Sequence, residues 1–285
     1  MVLQDDNKNL ILVPTDFSEI CENAVHFALE LSKNFNWSVV VLHVINKDTK
    51  SYLKKEDITE EQLELKLKEV EKAQKSEFGI DVTYIIKKGN IFEKIGQTAN
   101  ELDASLILLG THGKVGFQRL TGSYALKVIS STMVPTLVVQ KRNFKGFKNI
   151  VFPVTVTTQD RQKVNWAVAI AKAFDATIHI FPKHESEKYL KKNIMSVTKQ
   201  IKTIFDKHDV KHVDKVSEEL GGNFAKQIVD YAVVNDADLI IIMSTNDQAL
   251  PMLDSWDEQL MFNSSQIPVI CVNPVQVKKV RFGWY

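Results

Sequence analysis

The sequence predicts an α/β protein made of two tandem, doubly wound domains, each a five-stranded parallel sheet flanked by helices. Three observations carry this. Short apolar, β-branched runs of strand length alternate with segments whose apolar residues recur at three- and four-residue steps. The whole pattern occurs twice in 285 residues, a length that suits two ordinary domains, each able to bury a core. One strand–loop–helix junction, residues 105–131, also places four of the chain's 11 glycines within 13 positions.

Taken in order, Leu10 to Val13 reads as the first strand, ended by Pro14. Thr15, Asp16 and Phe17 form a loop, and Ser18 is suited to cap the next helix. That helix carries Cys21, Ala24, Val25, Ala28 and Leu31 as one buried stripe, which makes Cys21 a core residue and not a reactive thiol. Ser38 to Val44 is continuous and β-branched, as a strand buried on both faces should be, and His43 reads as a satisfied core histidine. The charge-rich stretch from Lys54 to Phe78 reads as one surface helix with Leu63, Leu67, Val70 and Gln74 on its inner face. Val82–Ile86 is the third strand, and Ile91, Ile95, Thr98 and Leu102 form the next helical stripe. Leu106–Leu109 is the fourth strand. Ser123 opens a helix striped by Ala125, Val128, Ile129 and Thr132. Val134-Pro135 breaks the chain before a fifth strand, Thr136–Gln140.

The second half repeats the first. Pro153 stands 139 residues after Pro14, GNFAKQI at 222–228 answers GNIFEKI at 89–95, and DADLIIIM at 236–243 answers DASLILLG at 103–110. From Asn90 onward the offset holds at 133, so Pro268 answers Pro135. The expected domains are 1–142 and 148–275, joined by a basic linker and followed by a tail, 276–285. The tail ends in Phe282, Trp284 and Tyr285, aromatics suited to packing on a neighbouring domain or subunit.

Composition narrows the setting. A net charge of +1 supplies no basic field to draw nucleic acid or an anionic membrane. Two distant cysteines argue against a disulfide scaffold and for a reducing cytoplasm. The N-terminus carries acidic residues where a signal peptide needs a basic region and an apolar core. No uncharged apolar run approaches spanning length.

The glycine-rich junction is the candidate site. A buried strand, a glycine loop and a helix N-terminus together present bare backbone N–H groups and a favourable dipole to an anion. Gly110, Gly113, Gly116 and Gly122 do not form Gly-x-Gly-x-x-Gly, and Lys114 is followed by Val115, so neither a dinucleotide fingerprint nor a P-loop is present. His208 and His212 have the spacing of a helical metal pair but fall in a polar connection without a third ligand, so no metal site is expected. Hydrolysis needs a positioned base and a stabiliser of developing charge, and nothing in the sequence pairs with His112 or Lys114, so binding is favoured over catalysis.

Gly110-x-x-Gly113, then a spacer, then Gly122-Ser123, with Gly-Thr-His-Gly at its head, resembles the signature loop of the universal stress protein family. The spacer, Lys114 to Thr121, is one residue shorter than is usual in that family. The resemblance implies a Rossmann-like, adenine nucleotide alpha hydrolase-like fold with strand order 3-2-1-4-5. It implies an ATP-type adenine nucleotide, with or without Mg²⁺, and a stress-response sensor or regulator that acts on a protein partner. It assigns adenine to the backbone of Val44 and the phosphates to Gly110, His112, Gly113, Gly122, Ser123 and the amides of Tyr124 and Ala125. Pro14, Thr15 and Leu109 complete the walls, and Asp16 suits a ribose or Mg²⁺. It also implies that the two fifth strands join in an internal pseudo-dimer, with further homodimerisation open. Two other readings stand beside this one: a slow ATPase on the same fold, and an adaptor whose shortened loop has lost the nucleotide. In the second half Gly110, Gly113, Gly122 and Ser123 become Met243, Asn246, Ser255 and Trp256, and Asp16 becomes Thr155. That half is expected to keep the scaffold and bind no triphosphate, with Trp256 and Asp257 crowding or repelling a phosphate.

Overall fold

The computed structural model describes residues 9–55, 57–111, 122–217, 220–244 and 256–274. The chain divides into two compact units, Met1–Thr136 and Leu137–Tyr285.

The first repeat runs β1 (Leu10–Thr15), α1 (Glu19–Phe35), β2 (Ser38–Ile45), α2 (Lys47–Lys55), α3 (Glu60–Phe78), β3 (Val82–Lys88), α4 (Ile91–Glu101), β4 (Leu106–Gly110), α5 (Gly122–Ser131) and β5 (Thr136–Val139). Its strand order is β3-β2-β1-β4-β5, the expected 3-2-1-4-5, and the pairings β1·β2, β1·β4 and β2·β3 are parallel. Strands β1, β4 and β5 are buried along their whole length, because helices cover both faces of a doubly wound sheet.

The second repeat runs β6 (Asn149–Val154), a 3₁₀ turn (Thr158–Arg161), α6 (Val164–Phe174), β7 (Thr177–Pro182), α7 (Lys188–Lys207), β8 (His212–Asp214), α8 (Phe224–Val234), β9 (Leu239–Met243), α9 (Trp256–Met261) and β10 (Val269–Val272). Read outward from β10, its order is β10-β9-β6-β7-β8, the same winding. The repeat is accurate to the residue: α8, β9 and β10 each begin and end 133 positions after α4, β4 and β5, and β6 lies 139 after β1. Even the helix stops agree, since Asn36 ends α1 and Asp175 ends α6, both in the left-handed conformation. Residues 137–142 are fixed within the second unit: the Gln140 amide donates to the Asn263 carbonyl at 3.1 Å and the Arg142 guanidinium to the Ala237 carbonyl at 2.9 Å.

Two sequence expectations need correction. Pro14 does not end the first strand but lies inside it, opposite Leu42 of β2. It falls beyond the last pair with β4, Leu12↔Ile107, where the ladder does not require its missing N–H. The charged stretch is not one helix from Lys54 but the two helices α2 and α3. Asp57 adopts a left-handed φ of 52°, and Thr59 caps α3 in a reciprocal box with Gln62. Of α3 only Leu67 is buried, so it covers the sheet lightly.

Candidate functional site

The carboxyl end of β1 is pinned by three successive side chains. Thr15 Oγ1 accepts from the Phe17 N–H at 3.0 Å, Asp16 Oδ1 from the Ser18 N–H at 2.9 Å, and Ser18 Oγ from the Cys21 N–H at 3.4 Å. Ser18 is the N-cap of α1, as its position predicts. The turn this creates holds Phe17 at a φ of 62°, a conformation that a bulky residue adopts only when its surroundings enforce it. Its ring, 39% exposed, stacks on His43 with centroids 4.4 Å apart.

Register sets Thr15, His43 and Gly110 level with one another. Thr15 pairs with His43, and Gly110 lies as far past Ile107 as Thr15 lies past its partner Leu12. His43 Nδ1 is 2.9 Å from the Thr15 carbonyl, so it carries the proton and donates. His43 Nε2 is buried with no hydrogen-bond partner among the described residues. Burial holds this imidazole below its usual pKa, against the smaller opposing effects of the Thr15 carbonyl and the Asp16 charge. Val44 follows, buried, its carbonyl 3.4 Å from the Thr49 hydroxyl. The Cys21 thiol is pushed up to about 12, first by burial and then by the Asp16 charge, which fits an inert core residue.

On the neighbouring strand β4, Leu109 is fully buried, as is Thr111 just past its end. Gly110 is there for close approach: a Cβ on it would stand 2.8 Å from the Ile20 carbonyl oxygen and 3.1 Å from Ile20 Cγ2. The first turn of α1 therefore packs directly on the end of β4, a structural demand that the glycine pattern alone did not reveal. Helix α5 begins at Gly122, and Ala125 is fully buried in its first turn. His112 and Gly113 lie outside the described residues, as do the side chains of Ser123 and Tyr124. The structure thus brings Pro14, Thr15, Asp16, Val44, Leu109 and Gly110 to one end of the sheet. That end includes the boundary between β1 and β4, where the strand order reverses. Phe17 and His43 belong to the same cluster and were not picked out as site residues. The signal available for them was only their place at the ends of strands.

The second repeat solves the same position differently. Asp160 and Lys163 take the places of Cys21 and Ala24 and form a fully buried ion pair at 3.0 Å. Lys163 Nζ also donates to the Pro153 carbonyl at 2.5 Å and lies 4.5 Å from the centre of the Phe152 ring. Asp160 Oδ2 accepts from the Thr155 N–H at 2.6 Å and from its hydroxyl at 2.9 Å. Of the signature replacements, Met243 ends β9 and Trp256 opens α9, while Asn246 and Ser255 lie outside the described residues. His208 ends α7 and His212 opens β8 with Nδ1 3.1 Å from the Val210 carbonyl. Among the described residues no group of three His, Cys, Asp or Glu is placed to hold a metal ion. None of the described helices is long and apolar enough to cross a membrane.

The family model for the universal stress protein family matches this chain twice, over residues 9–140 and 146–273. Two universal stress proteins of Methanocaldococcus jannaschii are each 31% identical, over 46% and 47% of this chain and 81% and 95% of their own lengths. The crystal structure of a universal stress protein from Archaeoglobus fulgidus superposes with a TM-score of 0.76 at 20% identity, covering 94% of this chain and all of that one. The protein belongs to the universal stress protein family, in a tandem form. Structures of two other family members, matching under half of this chain, contain cAMP (15% identity, TM-score 0.38) and AMP (from Arabidopsis thaliana, 16%, TM-score 0.36).

Proposed function

We propose that the first domain, residues 1–142, binds an adenine nucleotide of the ATP type and acts as a cytoplasmic sensor or regulator in which occupancy governs a protein partner. The observation that carries this reading is that the glycine loop joins β4 to α5 at the reversal of strand order, beside the pinned end of β1. The residues present fit such a ligand. The first-turn amides of α5, from Gly122 to Ala125, with His112 and Gly113, would hold the phosphates. Asp16, whose carboxylate already orders the turn before α1, would accept from a ribose hydroxyl or help hold Mg²⁺. The backbone of Val44 would meet the base, with Pro14, Thr15 and Leu109 as walls. Gly110 would add its amide while its bare Cα admits Ile20.

The reading is one of binding rather than turnover. The domain 148–275 is a scaffold that has exchanged the phosphate loop for other side chains, and pairing of the two fifth strands into an internal pseudo-dimer belongs to the same reading. Calorimetric titration of ATP with Mg²⁺ into the full chain tests it. One site per chain is expected, lost in Gly122→Val because a branched side chain obstructs the approach of a phosphate to the backbone. No binding to the unaltered chain, or undiminished binding to the variant, would overturn it.

A further inference from the structure

The second unit, read from the sequence as a domain without a site, contains a cavity of about 650 Å³ at the carboxyl ends of its strands. That volume is in the range of small-molecule sites. Its lining comes from the turn after β6, the segment after β7, the start of α8, the end of β9 and the start of α9.

The charges in this lining cancel. Asp160 is neutralised by Lys163, and Lys183 lies 2.5 Å from Glu185. No unmatched cation remains among the described lining residues to hold a phosphate, and Met243 and Trp256 replace two residues of the first repeat's phosphate loop. What the wall offers instead is aromatic surface and uncharged hydrogen-bonding groups. Trp256 and Phe224 stand with ring centroids 6.3 Å apart. The Asn223 amide donates to Gln259 Oε1 at 2.6 Å, and Thr155 and Thr157 also line the cavity. A flat ring can lie on the indole while hydroxyl groups exchange hydrogen bonds with amides and hydroxyls. A phosphate in the same place would find no unmatched cation among the described lining residues to offset the water it gives up.

We propose that this cavity is a second ligand site, selective for an uncharged molecule that combines a flat-faced ring with hydroxyl groups, either a nucleoside or a glycoside. The two chemistries would be told apart by titrating adenosine and, separately, an aryl glucoside into the full chain carrying Gly122→Val. That background keeps the test independent of the first domain's reading. Binding would be followed by calorimetry and by the indole N–H resonance of Trp256. Adenosine or the glucoside is expected to bind and shift that resonance, with AMP at least about tenfold weaker than adenosine. Trp256→Ala should weaken binding by about tenfold or more, the scale of losing a ring stacked on an aromatic side chain. Trp256→Phe should restore most of it, which separates lost stacking from lost folding. The proposal is overturned if neither neutral probe binds, if AMP binds as tightly as adenosine, or if Trp256→Ala leaves affinity unchanged.

Discussion

The two repeats share one winding and diverge where the first helix meets the fourth strand. In the first, Gly110 lets the opening turn of α1 press onto β4, and neutral Cys21 and Ala24 face inward beneath it. In the second, Met243 replaces that glycine, and the position equivalent to Ile20 falls in a 3₁₀ turn separated from α6. A side chain at this point would collide with a helix seated as α1 is, and in the second repeat a 3₁₀ turn takes that place beside the cavity. The buried Asp160–Lys163 pair then secures what helix packing no longer does, tying the turn to Thr155 and Pro153. Gly110 thus marks a junction where α1 packs on the backbone of β4, and Met243 one where side chains line a cavity.

The largest test of this comparison removes the anchor. Lys163→Met leaves Asp160 buried without its counter-charge, and losses of about 3–5 kcal/mol are typical of such a change. Urea unfolding of the full chain, resolved by unit, should show the second unit's transition displaced and the first unit's unmoved. Adding Asp160→Asn should recover most of the loss, since an amide oxygen still accepts from Thr155 while no charge remains. A loss below about 1 kcal/mol in the single variant would mean that the pair does not anchor the turn.

A smaller effect is expected from importing the second repeat's residue into the first. In Gly110→Met the new Cβ meets a backbone oxygen, so α1 must shift as a body instead of a side chain turning aside. Overpacking of this kind costs about 1–3 kcal/mol, read as a lower midpoint for the first unit in the same unfolding experiment. Unchanged stability would show that α1 does not need the glycine, and the contrast between the two junctions would lose its cause.

Much of this architecture was legible in the sequence because strands buried on both faces leave continuous apolar runs and a repeat fixes register. The offset of 133 between GNIFEKI and GNFAKQI placed α8, β9 and β10 correctly. Helix α2 was not legible. Its Lys-rich sequence has no long apolar stripe, and the break that separates it from α3 depends on a left-handed Asp57. Pro14 misled for a similar reason, since its missing N–H matters only where a neighbouring strand asks for it. The Asp160–Lys163 pair was hidden by the ordinary expectation that charges three apart lie on a solvated face. The cavity was hidden because loss of a phosphate motif reads as loss of a site. What the sequence could not weigh is volume: a cavity lined by side chains at the ends of strands leaves no motif to read.

The smallest expected effect concerns pH and separates the units by their histidines. Burial lowers the pKa of His43 in the first unit and of His179 in the second. Each is therefore neutral in the folded state at a pH where the unfolded chain, near 6.5, has begun to bind a proton. As pH falls through 6.5 toward the lower folded value, the unfolded state holds more protons and stability decreases. Above 6.5 the contribution is constant. A single group changes stability by at most about 1.4 kcal/mol per pH unit, so the slope is shallow. For His43 the protonated ring would place a second N–H where Nε2 now has no partner among the described residues, beneath the Phe17 ring. His43→Gln should flatten the first unit's stability profile between pH 7 and 5 while leaving the second unit's decline, which His179 carries, in place. If the first unit's profile keeps its slope in the variant, His43 is not the group that senses acid there. The row of Thr15, His43 and Gly110 would then be a matter of packing alone.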